Sequence, residues 1–236
     1  MFLRTLPAGT TTAVSLDTGA AVANGSSDDP AVDDDASVFA FKSDATDLVA
    51  SDPNGGTPDV FTSTGGGANT LVSVSTDGDG ANGDSSGPAL SSDGSVVAFD
   101  SNASDLVASD TNALSDVFVR TGGTTSRASV STTGTEGNGA SFFADISATG
   151  RYVVFSSTSD NLVPGDSTGG RGVYVRDRTS NTTERIDLTY DGSPAEGNTS
   201  SPSISDDGRY VSFVSNGDRL VPVSYTHLTL PTTPYV

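Results

Sequence analysis

Closely spaced carboxylate and amide side chains are the groups in this sequence best placed to bind an ion. Two segments each combine two aspartates with one asparagine: Asp110, Asn112 and Asp116 in one, and Asp52, Asn54 and Asp59 in the other. Hard cations such as Ca²⁺ bind about six to eight oxygen ligands, which these side chains and nearby backbone carbonyls can supply. Neither segment has a glycine at position 6 or a glutamate at position 12, where an EF-hand loop requires them. The second interpretation is that these residues form Asx turns that stabilise the loops.

Two short motifs resemble catalytic or cofactor sites but lack the residues that such sites need. Residues 83–87 match the G-x-S-x-G pattern of a nucleophile elbow, which requires a strand-to-helix turn and a histidine base. The single histidine is His227, near the C-terminus, and the chain has no cysteine. Residues 78–83 match G-x-G-x-x-G, but serine, glycine and proline follow instead of the start of a helix. We therefore predict no catalytic residues and no enzyme activity.

The charge of the chain excludes several classes of partner. It has 30 Asp+Glu against 11 Lys+Arg, a formal net charge of −19, whereas nucleic acids and anionic membrane surfaces are bound by clustered cations. No apolar run approaches the length of a membrane span, and Arg4 and Pro7 interrupt the N-terminal apolar residues before a signal peptide could form. We therefore predict no nucleic-acid binding and no membrane insertion, and cationic ligands or metal ions fit this charge better.

An internal repeat organises the sequence. A strand-like segment recurs four times at spacings of 58, 56 and 58, and it ends each time in phenylalanine: Phe41, Phe99, Phe155 and Phe213. An Asp-Leu-Val triplet or a close variant follows each segment, as at residues 47–49 and 105–107. Repeats of this size are typical of propellers and other arrays of similar units.

Four short strands can be assigned within one period. In the third full repeat they cover about residues 143–147, 151–157, 172–177 and 183–189. The second and third strands have apolar residues on both faces, which indicates burial on both sides. In the fourth, apolar and polar residues alternate, which predicts a half-exposed outer strand. The sequence therefore predicts an all-β fold, a β-propeller of four-stranded antiparallel blades with the four repeated phenylalanines in equivalent core positions.

The repeat resembles a known family. Residues 203–213 read Ser-Ile-Ser-Asp-Asp-Gly-Arg-Tyr-Val-Ser-Phe and residues 116–120 read Asp-Val-Phe-Val-Arg, and both resemble the WD40-like repeats of TolB-type bacterial β-propellers. The resemblance implies an exported bacterial protein, periplasmic or at the cell surface, whose propeller loops bind protein or carbohydrate partners without catalysis. The alternative is the accessory propeller of a larger hydrolase, such as a serine peptidase.

The repeat also divides the chain into units. We expect a partial blade at residues 1–28, full repeats at about 29–86, 87–142 and 143–201, and a second partial blade at 202–222. Most propellers close with about four to eight blades, and exposed sheet edges are unfavourable, so we expect these four blade-equivalents to be part of a larger ring. Residues 223–236 break the repeat and resemble translated adaptor sequence, which predicts a non-native or disordered tail.

Overall fold

The structure, a computed structural model, describes residues 1–7, 9–52, 54–65, 67–166 and 169–221. The regular elements in these ranges are β-strands. None of the described residues forms a helix long and apolar enough to cross a membrane. The predicted tail at residues 223–236 lies outside the described residues, and the division into repeat units stays a prediction.

Five antiparallel sheets are formed by the described residues. Three of them have four strands paired in chain order. The first blade consists of β3 (Ser27–Val32), β4 (Val38–Ser43), β5 (Asp59–Thr64) and β6 (Asn69–Leu71). The second consists of β7 (Ser85–Leu90), β8 (Val96–Ser101), β9 (Asp116–Thr121) and β10 (Thr124–Arg127). The third consists of β11 (Ser141–Ile146), β12 (Tyr152–Ser157), β13 (Gly172–Asp177) and β14 (Thr182–Arg185). Two-stranded sheets precede and follow them, formed by β1 (Phe2–Arg4) with β2 (Thr11–Ala13) and by β15 (Thr199–Ile204) with β16 (Val211–Ser215).

The first strand of each blade lies next to the first strand of the following blade. β3 contacts β7, β7 contacts β11, and β11 contacts β15, so these strands surround a common axis. Backbone hydrogen bonds join the turns that follow them: Asp34 N–H donates to the Ser92 carbonyl, Ser92 N–H to Ala148 and Ala148 N–H to Asp206, at 2.9–3.2 Å. The two-stranded sheets do not pair with each other, so the described residues form an open arc of a propeller.

Aromatic pairs across the second and third strands form the centre of each blade. Their ring centroids lie 5.8–6.0 Å apart, and the pairs are Phe41 with Phe61, Phe99 with Phe118, and Phe155 with Tyr174. All six side chains are fully buried, and two of the hydrophobic clusters include residues from neighbouring blades. The predicted burial of Phe41, Phe99 and Phe155 is therefore confirmed. Phe213 on β16 is only partly buried, because no third strand pairs with β16 among the described residues.

The fourth strand is shorter than the alternation of residues predicts. In the third blade β14 ends at Arg185, whereas the sequence predicts a strand to residue 189. The Asp187 carboxylate accepts the N–H of Val173 at 3.1 Å, where a continued ladder would use a backbone acceptor. In the other two blades a serine hydroxyl is the acceptor: Ser129 Oγ accepts the N–H of Val117, and Ser73 Oγ accepts the N–H of Val60. The side-chain acceptor ends the ladder, and the chain continues as a single bridge, Leu188 to Pro194 in the third blade.

Candidate functional site

The predicted ion-binding segment of the second blade brings its carboxylates together. Asp110, Asp116 and Glu136 have carboxylate oxygens within 4.8 Å of one another, close enough to hold a metal ion. Asp116 begins β9 and is fully buried. The amide nitrogen of Asn112 donates to Asp116 Oδ2 at 3.0 Å and to the Gly137 carbonyl at 2.9 Å. All three predicted residues of this segment are therefore part of one cluster, which Glu136 completes.

Arg127, the last residue of β10, lies among these carboxylates. Its Nη2 is 3.0 Å from Asp110 Oδ2, its Nε is 3.3 Å from Asp116 Oδ2, and its Nη1 is 2.5 Å from Glu136 Oε1. Its side chain is 6% exposed, and its guanidinium carbon lies 5.7 Å from the centre of the Phe118 ring. Burial raises the pKa of Asp116 to about 6, although the Ser129 hydroxyl and Arg127 both favour its charged form. The protein thus supplies its own cation to this cluster.

The predicted segment of the first blade has the same hydrogen bonds but no arginine. Asp59 begins β5, is fully buried, and accepts hydrogen bonds from Ser73 Oγ at 2.5 Å and Asn54 Nδ2 at 2.6 Å. Asn54 Nδ2 also donates to the Ala81 carbonyl at 2.7 Å. Burial raises the pKa of Asp59 to about 6, and the nearby charge of Asp52 adds to this rise.

The Asx-turn interpretation is also realised in one of these loops. In the second blade the N–H of Leu114 donates to Asn112 Oδ1 at 2.7 Å. This is the local bond by which asparagine stabilises turns. The predicted residues of this segment therefore shape their loop and present oxygen atoms at the same time.

The third blade contains a third cluster, which the sequence analysis missed. Arg185 Nε lies 2.8 Å from Asp187 Oδ1, and its Nη1 forms an ion pair with Asp166. Tyr174 Oη donates to Asp166 as well. A Cβ at Gly172 would lie 2.8 Å from Arg185 Nε, so the glycine leaves room for the guanidinium. The only sequence signal was that an arginine, Arg127 or Arg185, ends the fourth strand in two of the three blades.

A cleft of about 460 Å³ lies along the first strands, where they surround the axis. Each first strand has a β-bulge, and the bulged residue has positive φ in every case: Asp29 (49°), Gly87 (58°), Phe143 (60°) and Ser201 (51°). The bulges place Asp29, Pro88, Phe143 and Pro202 in the lining of the cleft, and Asp100 from β8 also lines it. Phe143 is 50% exposed and packs edge-on against Phe142, with ring centroids 5.2 Å apart. We call this surface the axial cleft.

The serine of the G-x-S-x-G motif is not placed for catalysis. Ser85 is the first residue of β7 and is fully buried. Its hydroxyl lies 2.9 Å from that of Ser101, and Ser141 with Ser157 forms the same pair in the next blade. The motif therefore belongs to a structural contact that recurs in the blades.

Replacing Asp100 by Asn is expected to reduce the pH dependence of stability. Burial raises the pKa of the Asp100 carboxyl, although Ser86 Oγ donates to it at 2.8 Å. Its contribution to stability is therefore fully present below the unfolded-state pKa of about 3.9 and is lost as the pH rises through the higher folded-state pKa. Urea unfolding at a series of pH values should show that the free energy of unfolding falls less over this pH range for Asp100→Asn than for wild type. Equal losses would contradict the assignment.

Comparison with solved structures shows the fold of a β-propeller. Putative TolB from Agrobacterium tumefaciens superimposes with a TM-score of 0.55 over 91% of this chain and 62% of its own length, at 18% sequence identity. TolB from Acinetobacter baumannii gives a TM-score of 0.48 over 90% of this chain and 45% of its own length, at 19% identity. No protein-family model and no curated protein matches the chain.

The chain is thus a partial β-propeller of four-stranded antiparallel blades. Its fold is that of the TolB-like propellers, which confirms the predicted fold class and resemblance. It spans less than two thirds of the length of either TolB protein.

Proposed function

We propose that the chain is a non-catalytic binding module that recognises a protein partner at the axial cleft. The observation that carries this proposal is Phe143, a bulky residue with φ of 60° and an aromatic ring half exposed to solvent. A left-handed backbone costs about 1–2 kcal/mol for a residue with a side chain, and such strain concentrates at binding sites. Aromatic residues, phenylalanine among them, are also enriched at protein interfaces relative to the rest of the surface.

The chemistry of the cleft indicates which partner would fit. Asp29 and Asp100 place carboxylates beside the apolar surfaces of Pro88, Phe143 and Pro202. A peptide segment that combines Lys or Arg with aromatic or aliphatic side chains complements this surface. The net charge of −19 would also accelerate its association with cationic partners at low ionic strength.

The proposal of a module without enzyme activity rests on the side chains that the sequence provides. There is no cysteine, the one histidine is His227, and the serine of the elbow-like motif is buried in a strand. The full chain should therefore release no product from ester or peptide substrates, and hydrolysis that is abolished by Ser85→Ala would overturn this.

We propose that Ca²⁺ binds at a carboxylate loop of the propeller, and that the protein is located in the periplasm or at the cell surface. Carboxylate, amide and backbone oxygens are hard ligands that suit Ca²⁺. Extracellular modules bind this ion with dissociation constants of about 10⁻⁴–10⁻³ M. The TolB-like repeats support an exported location, in which Ca²⁺ at such concentrations would be available.

Phe143→Ala is expected to weaken peptide binding at least about tenfold, because truncating a central aromatic contact commonly costs about 2 kcal/mol or more. Peptides would be selected from a random display library on the wild-type chain, and their affinities measured by fluorescence polarisation. Tyr190→Ala is the matched control, since Tyr190 is 58% exposed and does not line the cleft. Selected peptides that bind both variants equally would contradict the proposal. A glycan array would also contradict it if glycans bound the wild-type chain and their binding were lost in Phe143→Ala.

A further inference from the structure

One structural position distinguishes the first blade from the other two. It is the residue that lies across the ladder from the third-strand aromatic ring: Leu71 opposite Phe61, Arg127 opposite Phe118, and Arg185 opposite Tyr174. In the second and third blades its guanidinium forms ion pairs with buried carboxylates. In the first blade the position holds Leu71, which packs against the hydrophobic core. A cation is therefore provided by the chain in two blades and omitted in one.

No positively charged side chain among the described residues pairs with the carboxylates of the first-blade loop. None of the salt bridges formed by the described residues involves Asp52 or Asp59. Asp59 is fully buried, and the side chains that donate hydrogen bonds to it, Ser73 and Asn54, are both neutral. Neutral donors offset part of the cost of burying a carboxylate, and a positive charge would offset more of it.

A second, independent observation is a pair of buried oxygen atoms without hydrogen-bond donors. Oδ1 of Asp52 and Oδ1 of Asn54 are both inaccessible to solvent and accept no hydrogen bond. The equivalent amide oxygen of the second blade, Asn112 Oδ1, accepts the N–H of Leu114. Buried polar atoms almost always have partners, so two unpartnered acceptors in one cluster indicate a missing positively charged ligand.

We infer that Asp52, Asn54 and Asp59 form a Ca²⁺ site in the first blade, at the position that arginine guanidinium groups occupy in the second and third. The inference rests on the proposed preference for Ca²⁺ and assigns the ion to one loop. Oδ1 of Asp52, Oδ1 of Asn54 and the Asp59 carboxylate are the side-chain ligands, and backbone carbonyls and water complete the coordination.

The same reasoning excludes the second blade as the main site. Ca²⁺ lies about 2.3–2.6 Å from its oxygen ligands. The guanidinium nitrogens of Arg127 already lie 2.5–3.3 Å from Asp110, Asp116 and Glu136, so an ion between these carboxylates would overlap the arginine. Asp110 Oδ1 also lacks a hydrogen bond, but the other oxygen of this carboxylate is 3.0 Å from Arg127.

The test is the number of Ca²⁺ ions bound by the full chain, measured by equilibrium dialysis at fixed ionic strength after removal of metal with EDTA. We expect one ion per wild-type chain, none for Asp59→Asn or Asp52→Asn, and one for the matched second-blade variant Asp116→Asn. Ca²⁺ should raise the melting temperature of wild type by several degrees, and Mg²⁺ should raise it less, since screening alone would act equally for both ions.

Leu71→Arg keeps the test decisive if the aspartate variants fail to fold. A guanidinium placed at this position should abolish Ca²⁺ binding and should raise the melting temperature in EDTA toward that of wild type with Ca²⁺. If wild type binds one ion, and this binding is abolished by Asp116→Asn but preserved in Leu71→Arg, the assignment to the first blade is wrong. The proposed preference for Ca²⁺ would still hold in that case. Binding of no ion, or equal temperature shifts with Ca²⁺ and Mg²⁺, would overturn both.

Discussion

Replacing Arg127 by Met should lower the free energy of unfolding by about 3–5 kcal/mol. The change removes the only cation that the described residues place among three carboxylates, of which Asp110 and Asp116 have side chains 2% and 0% exposed. Removing one partner of a buried ion pair leaves an uncompensated buried charge, and this penalty exceeds the modest net value of the intact pair. Methionine preserves most of the side-chain volume, so the loss can be assigned to charge. Urea unfolding followed by circular dichroism measures it.

Arg209→Met is the control for this effect. Its side chain is 71% exposed and lies 3.9 Å from Asp207, a geometry that contributes about 0–1 kcal/mol. Adding Glu136→Gln to Arg127→Met should restore part of the lost stability, because it removes one of the repelling carboxylates. A loss of less than about 1 kcal/mol in Arg127→Met, with no recovery in the double variant, would show that water compensates the cluster instead.

Phe99→Ala should lower the free energy of unfolding by a similar amount, about 3–5 kcal/mol. Phe99 is fully buried, and its ring centroid lies 5.9 Å from that of Phe118. It also belongs to a cluster that includes Ala40 and Val60, so it packs the first blade against the second. The alanine variant leaves a cavity in this joint, and thermal unfolding is expected to become less cooperative as well as to shift to lower temperature.

The matched control is Phe143→Ala, a removal of the same ring from a side chain that is 50% exposed. Its effect on stability should stay within about 1 kcal/mol, since little buried area is lost. Equal losses from both variants would mean that Phe143 is part of the core and would remove the basis for the axial cleft as a binding surface.

The internal repeat of the sequence was sufficient to predict the four-stranded blade, because residues at equivalent positions of each repeat are buried in the same way. Phe41, Phe99 and Phe155 share one phase and one environment, and the two loops with Asp and Asn at matching positions form matching hydrogen bonds. Features that differ between repeats could not be found in this way. The position of Arg127 in the second blade is occupied by Leu71 in the first blade, so the repeat does not reveal it. Only the pairing of strands in the structure shows that Arg127 lies beside the loop carboxylates.

The bulges of the first strands were also beyond sequence reasoning. A positive φ is usually indicated by glycine, but three of these four positions hold aspartate, phenylalanine and serine. Each of these residues lies in a β-bulge of its first strand, where the pairing with the second strand determines the conformation against local preference. The axial cleft therefore arises from assembly of the blades, and no short segment of the sequence encodes it.

The hydrogen bonds that link successive first-strand turns use backbone atoms at every joint. The residues that carry them, Asp34, Ser92, Ala148 and Asp206, differ in side chain, yet each linked N–H donates toward the following blade. These hydrogen bonds are thus directional and independent of side-chain identity. A gene that gained or lost one whole repeat by unequal recombination would recreate these hydrogen bonds at the new boundary, so that only the side-chain packing between the blades would have to adapt.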